Sequence, residues 1–373
     1  MKDRIVSGIR FGNYTAPESS VFDRLLEIFT DVLTHTSGDF DEAIEWLRIL
    51  DDEYKLTTPD YTIEDFIEDL KKKGYIREEI KPDGSGTGIG LSAKMEQNIR
   101  KQALNQIFGN LGKSGNGNHK TNKSGIGEDT TGEFRNYNFG DSVEKISITE
   151  SLKNAQINNG IGDFLLTEED LIVEDSIHQS QMSTVLMIDI SHSMILYGED
   201  RITPAKKVAM ALAELITTRY PKDTLDIIVF GDDAWPVKIQ ELPYLQVGPY
   251  HTNTVAGLKL AMDILRRKRN TNKQIFMITD GKPSCIRESD GTYYKNSFGL
   301  DEYVVQKCYN MAAQARRLHI PVTTFMIAQD PYLQHFVSEF TAANQGKAFY
   351  TGLNGLGQMI FEDYESNRKK RIR

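Results

Sequence analysis

The stretch TVLMIDISHSM, residues 184–194, decides the fold. An apolar run through Ile188 is typical of a strand that is buried on both faces of a parallel sheet. The chain then places Asp189, Ser191 and Ser193 at alternate positions, so an extended segment turns all three side chains to one side. A carboxylate and two hydroxyls at the end of a core strand indicate a binding site.

Further apolar runs alternate with amphipathic helical patterns after this strand. The runs are TLDIIVF, KQIFMITD, IPVTTFMIA and KAFYT, and a shorter segment, WPVKIQEL, is typical of an antiparallel edge strand. The alternation predicts an α/β fold over 184–367, in which helices cover both faces of a doubly wound, mostly parallel, Rossmann-like sheet.

Two other segments bring oxygen atoms to the same edge of this predicted sheet. FMITDG ends an apolar run with Asp280, and GPYHTNT places hydroxyls in a loop before a helix. Ligands of such sheets bind beyond the carboxyl ends of the strands, so these groups should meet Asp189 there. Carboxylates and hydroxyls without His or Cys suit a hard divalent cation, Mg²⁺ first and Mn²⁺ second.

The segments DISHS, TNT and TDG resemble, in their order and spacing, the metal-ion-dependent adhesion site of von Willebrand factor A domains. The resemblance implies that Asp189, Ser191, Ser193, Thr252 and Asp280 are the metal ligands. In that family the threonine precedes an Ala/Gly-Leu/Ile pair by five residues. Gly257 and Leu258 stand at that distance from Thr252, which we therefore prefer to Thr254.

The first 110 residues are predicted to form a small helical domain. Three amphipathic helices over 20–73 are followed by two short strands around a Gly-rich turn and by the helix AKMEQNIRKQALNQIF. This order is similar to a winged-helix module, which would dock nucleic acid or, on the same scaffold, protein. The acidic third helix opposes phosphates and favours protein.

The remaining segments carry less information. Residues 111–142 are rich in Gly, Asn, Ser and Lys and are predicted to be a flexible linker, 143–183 a connecting segment and 368–373 a basic tail. The net charge of -9 argues against a general nucleic-acid binder. We find no apolar signal segment or membrane span, and two cysteines without a CxxC suggest the cytoplasm.

The whole layout resembles the bacterial proteins that are paired with MoxR-type AAA+ ATPases. The stretches GEDRITPAKKVAMALAELI, GPYHTNTVAGL and TDGKPS carry this resemblance. It implies a non-enzymatic adaptor that grips an Asp or Glu of a client or partner while the ATPase supplies work. A DNA-binding regulator and a metal-dependent hydrolase are the alternatives.

Overall fold

The computed structural model describes most of the chain. The described residues are 5–6, 9–10, 20–80, 87–108, 129–138, 141, 143–160, 165–177, 181–198, 200–280, 282–296, 298–327, 330–350 and 356–369. The chain divides into two compact units, one within 1–111 and 182–367, the other within 112–181 with the last residues of the chain.

The N-terminal part of the larger unit is helical, as predicted. Its elements are β1 (Ile5–Val6), β2 (Ile9–Arg10), α1 (Val21–His35), α2 (Phe40–Tyr54), α3 (Ile63–Lys72), β3 (Ile76–Ile80), β4 (Thr87–Leu91) and α4 (Ala93–Phe108). Helix α3 begins with a reciprocal capping box between Thr62 and Asp65, and the hydroxyl of Ser20 caps α1. Strands β3 and β4 form an antiparallel hairpin between α3 and α4.

The smaller unit contains β5 (Asp129–Asn136), α5 (Ile148–Asn159) and β6 (Ile172–Ile177). Strands β5 and β6 pair antiparallel, so the predicted flexible linker is wrong for 129–136. The polar composition of this segment gave no sign of a strand, because the strand depends on pairing with a partner some 40 residues further along the chain. The rest of the predicted linker falls mostly on 111–128, outside the described residues, as does the predicted tail beyond residue 369.

The C-terminal part of the larger unit is the predicted α/β domain. Its elements are β7 (Met182–Asp189), α6 (Ile202–Arg219), β8 (Thr224–Phe230), β9 (Ala234–Val237), α7 (Thr254–Arg267), β10 (Asn272–Thr279), β11 (Cys285–Arg287), β12 (Tyr293–Lys295), α8 (Glu302–Arg317), β13 (Val322–Met326), α9 (Pro331–Asn344), β14 (Lys347–Tyr350) and α10 (Leu356–Lys369).

Six of these strands form one sheet in the order β14-β13-β10-β7-β8-β9. Neighbouring strands are parallel except β9, which runs antiparallel to β8 at the edge. The doubly wound, mostly parallel sheet is therefore confirmed. Strands β11 and β12 form a separate hairpin that the sequence analysis did not predict.

Strand β7 lies in the middle of the sheet, and its side chains serve two cores. Leu186 and Ile188 belong to one buried cluster, whereas Val185 and Met187 belong to the cluster on the opposite face. All four residues are fully buried. This explains why the strand is apolar at every position instead of at alternate ones.

The predicted boundary near residue 110 does not separate two cores. One buried cluster joins apolar residues of α1–α4 to residues of α6 and of the sheet. Helix α6 is buried along most of its length because α4 covers its outer face, where Arg100 Nε lies 3.4 Å from Glu214 Oε2. The helical region thus forms a layer on the sheet domain.

Among the described residues, no helix combines the length and the apolar character that crossing a bilayer requires.

Candidate metal site

The two predicted carboxylates lie side by side at the carboxyl edge of the sheet. Asp189 is the last residue of β7, and Asp280 follows the last residue of the adjacent strand β10. Asp189 is fully buried and Asp280 is 3% exposed. Parallel pairing in register, with Ile188 opposite Ile278, brings these strand ends to the same place.

The two predicted serines follow Asp189 in a tight turn. The backbone N–H of Ser191 donates to Asp189 Oδ1 at 2.9 Å, and the Ser191 and Ser193 hydroxyls lie 3.0 Å apart. Ser191 is buried and Ser193 half-buried, while the intervening His192 is exposed. Both hydroxyls therefore lie together and the histidine is exposed, but a turn and the short helical segment His192–Gly198 bring them there, not the extended segment that the sequence analysis expected.

Thr252 lies in a loop that is hydrogen-bonded to the segment after Asp189 and to the segment after Asp280. Next to it, Tyr250 O accepts from the His192 N–H at 3.0 Å. On the other side, Thr252 O accepts from the N–H groups of Ser284 and Cys285 at 3.0 and 3.2 Å. The buried Thr252 is thus held between the turn after β7 and the segment after β10.

The surroundings of Thr254 support the choice of Thr252. Thr254 begins α7, and its side chain hydrogen-bonds the thiol of Cys308 on α8. Burial raises the pKa of that thiol to about 12. Gly257 permits this close approach of α7 to the sheet, since a Cβ there would lie 2.6 Å from Met187 Cε.

The buried carboxylates repel each other. Burial, and then the nearby charge of Asp280, raise the pKa of Asp189 to about 7, although hydrogen bonds from Ser191 and Thr279 oppose the shift. The Thr279 hydroxyl donates to Asp189 Oδ2 at 2.7 Å. A cation shared by the two carboxylates would remove this repulsion.

Two further acids, Asp232 and Asp233, lie in the loop after β8 and contact residues other than the predicted metal ligands. Asp232 pairs with Lys295 and accepts from the His251 N–H at 2.8 Å, and Asp233 accepts from the Tyr293 hydroxyl. These contacts attach the β11–β12 hairpin to the loop after β8. The side chains of Asp232 and Asp233 thus serve this attachment.

Two polar neighbours of the carboxylates, Thr279 and Arg201, were not predicted from the sequence. Thr279 could have been found, because it is the residue before Asp280 at a strand end. Arg201, whose Nη1 lies 3.9 Å from Asp280 Oδ2, could not, because only the fold brings the start of α6 to the end of β10.

The residues present fit a hard divalent cation. Within the described chain, no group of three or more His, Cys, Asp or Glu side chains is placed to hold a metal ion. The donors here are instead two carboxylates and neutral hydroxyls, all oxygen, as Mg²⁺ prefers. Thr252 and the two serines would complete the set. The ligand roles of all five residues stay predictions.

Comparison with known families identifies the sheet domain. A family model described as "Rv0959-like protein, vWA domain" matches residues 182–365. This range contains all of β7–β14, and the sheet has the order described above. Residues 182–365 of the chain therefore match a von Willebrand factor A (vWA) domain.

The smaller unit matches the same group of proteins. A model described as "Rv0959-like protein, third domain" covers residues 129–176, which hold β5, α5 and most of β6. The protein Rv0959 of Mycobacterium tuberculosis is 30% identical over 296 residues, covering 77% of this chain and 43% of its own length. Protein Mb0984 of Mycobacterium bovis matches with the same values. The chain thus spans less than half the length of these curated relatives.

Solved structures with a similar fold are distant. The vWF domain of the pilus tip protein Mfa5 from Porphyromonas gingivalis is 12% identical, with a TM-score of 0.41, covering 52% of this chain and 98% of that chain. The PilB minor pilin from Streptococcus sanguinis is 15% identical, with a TM-score of 0.40, covering 53% and 64%.

Proposed function

We propose that this protein is a non-enzymatic adaptor whose vWA domain binds a partner protein through a bound Mg²⁺ ion, with Mn²⁺ as a substitute. The observation that carries the proposal is the buried Asp189–Asp280 pair beside the Ser191 and Ser193 hydroxyls. When bound, the ion supplies a positive centre that can accept one further oxygen ligand from outside.

The ligand set explains why an acidic partner fits. Hydroxyl groups are neutral, so only Asp189 and Asp280 offset the two charges of the ion. Where one carboxylate acts through water, the open side of the site keeps net positive character. An Asp or Glu side chain of a client then provides a charge-assisted ligand.

The remaining parts of the proposal rest on the resemblance in the sequence. They are a MoxR-type AAA+ ATPase as the working partner and a role in complex assembly or maturation. A cytoplasmic location is proposed from the two cysteines, which form no CxxC. A non-enzymatic role agrees with the positions of the nearest histidines: His192 is exposed, and His251 lies beside Asp232. Nucleic acid is not among the proposed partners. The lysines at the C-terminal end of α3, which are Lys71, Lys72 and Lys73, each pair with a carboxylate.

The test is a pull-down from lysate of the source bacterium with wild type, wild type plus chelator, and Asp189→Ala. We expect wild type to retain an acidic partner that chelator and Asp189→Ala both release. Ser193→Ala should weaken metal and partner binding less, because water can replace a neutral ligand. Glu339→Ala, which removes an exposed acid on α9, is the matched control and should behave as wild type.

A partner that is held equally in all arms would show that the site has only a structural role. Circular dichroism must show that Asp189→Ala is folded. Turnover of a phosphoester or peptide that Asp189→Ala abolishes would instead support a hydrolase.

A further inference from the structure

The outer face of α2 exposes two large apolar side chains. Trp46 is 48% exposed and Ile49 is 60% exposed. The two residues are three positions apart, so their side chains are neighbours on the helix surface. The inner face of the same helix packs in the core through Phe40, Ala43, Ile44 and Leu47. Helix α2 therefore has an apolar patch on the side that its own core does not cover.

Four acidic side chains border this apolar pair. Two of them stand about one turn before it and two about one turn after it, and all four are exposed. In the part of the chain that the structure describes, none of the four carboxylates forms an ion pair, and Arg48 pairs with Glu64 of α3 instead. We define the α2 surface as the apolar pair with these acids, which are Trp46, Ile49, Glu42, Glu45, Asp52 and Glu53.

Helix stability accounts for Glu42, which lies in the first turn, but not for the acids at the other end. The last turn of α2 contains Asp52 and Glu53 and no base, although the helix dipole favours bases there. The neighbouring Asp51 has a structural role, because it accepts from the N–H and the hydroxyl of Thr57, each at 2.7 Å. Asp52 and Glu53 have no such role, so their charges are available to a partner.

We propose that the α2 surface binds a helical protein segment with two apolar side chains one turn apart and Lys or Arg one turn beyond each. A helix presents its side chains with the same spacing as α2. The apolar pair then forms the buried centre of the contact, where tryptophan is among the residues that contribute most, and the carboxylates form its polar rim. The rim attracts basic segments and repels acidic ones.

This inference goes beyond the proposed function and does not depend on it. The proposed metal site selects an acidic group, whereas the α2 surface selects a basic one. The two sites therefore contact different segments, and metal is needed at only one of them.

The test titrates the full chain with a fluorescein-labelled helical peptide of this pattern and follows its anisotropy. The comparison peptides are a scramble of the same composition and a version with glutamate in place of each base. Trp46 is one of two tryptophans in the chain, so Trp235→Phe isolates its emission. That emission should shift to shorter wavelength as the peptide covers the ring. Circular dichroism confirms that each variant is folded.

The variants separate the apolar centre from the acidic rim. We expect Trp46→Ala to weaken binding of the patterned peptide about twentyfold and Ile49→Ala about fivefold, because each removes part of the buried centre. Glu53→Lys should weaken it about tenfold, because a repulsion replaces an attraction. The controls are Tyr332→Ala and Glu339→Lys, at exposed positions of α9, and both should bind as wild type does.

Salt and chelator distinguish the α2 surface from the metal site. Sodium chloride should weaken peptide binding, since exposed charges are screened, whereas chelator should leave it unchanged. Equal affinity for the patterned and the scrambled peptide would show only a general attraction to acidic surface and would overturn the inference. An unchanged emission of Trp46 at saturation, or loss of binding with chelator, would also overturn it. Dimerisation in sedimentation velocity that Trp46→Ala abolishes would assign the surface to a second copy of the chain instead.

Discussion

At the scale of residues, the site places a carboxylate where its charge is costly. Asp189 is buried at a strand end, beside a second acid, and the hydrogen bonds that it accepts stabilise its charge only in part. Burying a charge without a counter-charge destabilises a fold. Buried carboxylates of this kind therefore occur mainly at sites that bind a ligand or an ion. The proposed cation would provide the missing charge.

The raised pKa of Asp189 predicts that metal affinity depends on pH. Because this pKa is about 7, the proton leaves only near neutrality, and a metal ion must displace it at lower pH. We expect the apparent Kd for Mg²⁺ to rise about tenfold from pH 8 to pH 6. Calorimetry in buffers of matched ionic strength measures this change.

Ser193→Ala serves as the reference for this experiment. It lacks a neutral ligand, so its affinity should be lower at every pH while the slope stays the same. A Kd independent of pH between 6 and 8 would contradict a metal bound by Asp189.

At the scale of elements, buried polar contacts decide where the last helix packs. Asp363 of α10 accepts from Thr323 Oγ1 and from Asn367 Nδ2, each at 2.8 Å, and pairs with Lys347 of β14. These contacts join α10 to two strands at one side of the sheet. The amphipathic pattern of α10 could not have indicated them, because their partners come from β13 and β14.

Asp363→Ala should therefore destabilise the sheet domain. The change leaves buried donors without an acceptor and Lys347 without its counter-charge, which costs about 3 kcal/mol of unfolding free energy. Urea unfolding followed by circular dichroism measures the difference. Glu362→Ala, at the neighbouring exposed position on the same helix, should stay within about 0.5 kcal/mol of wild type. Equal effects of the two substitutions would refute this assignment.

At the scale of the whole chain, the helical layer is tied to the loop that carries Thr252. Lys206 of α6 is 1% exposed, and its Nζ donates to Thr34 O, Ser37 Oγ and Leu245 O at 2.8, 3.2 and 3.2 Å. The first two acceptors lie at the end of α1, and the third begins the segment that leads to Thr252. One buried ammonium thus connects the N-terminal helices to the site loop.

This buried lysine predicts a pH dependence of stability. Burial lowers the pKa of Lys206 from 10.5 to about 8, so between these values the unfolded chain holds a proton that the folded chain has released. Folding is then favoured increasingly as pH rises from 8 to 10.5, and this contribution is lost as pH falls through 8. The gain from pH 7.5 to pH 9.5 should be about 2 kcal/mol.

Lys206→Met removes the titrating group and should abolish that gain, although it also destabilises the protein at every pH by leaving carbonyls unpaired. Lys259→Met, at an exposed position of α7, should keep the gain of wild type. The free energy of unfolding of all three proteins at both pH values measures the effect. An identical pH dependence in wild type and Lys206→Met would contradict it.

The sequence alone determined the α/β fold, the central strand and the positions where polar groups follow apolar runs. These features are local: a strand buried on both faces is apolar at every position, and the edge at which it ends is the binding edge of a parallel sheet. The tertiary structure decided the rest. It directed Thr254 to Cys308, brought Arg201 to Asp280, covered α6 with α4 and paired β5 with β6. Each of these contacts joins segments that are distant in the chain, and such pairings depend on how elements pack rather than on the periodicity within any one of them.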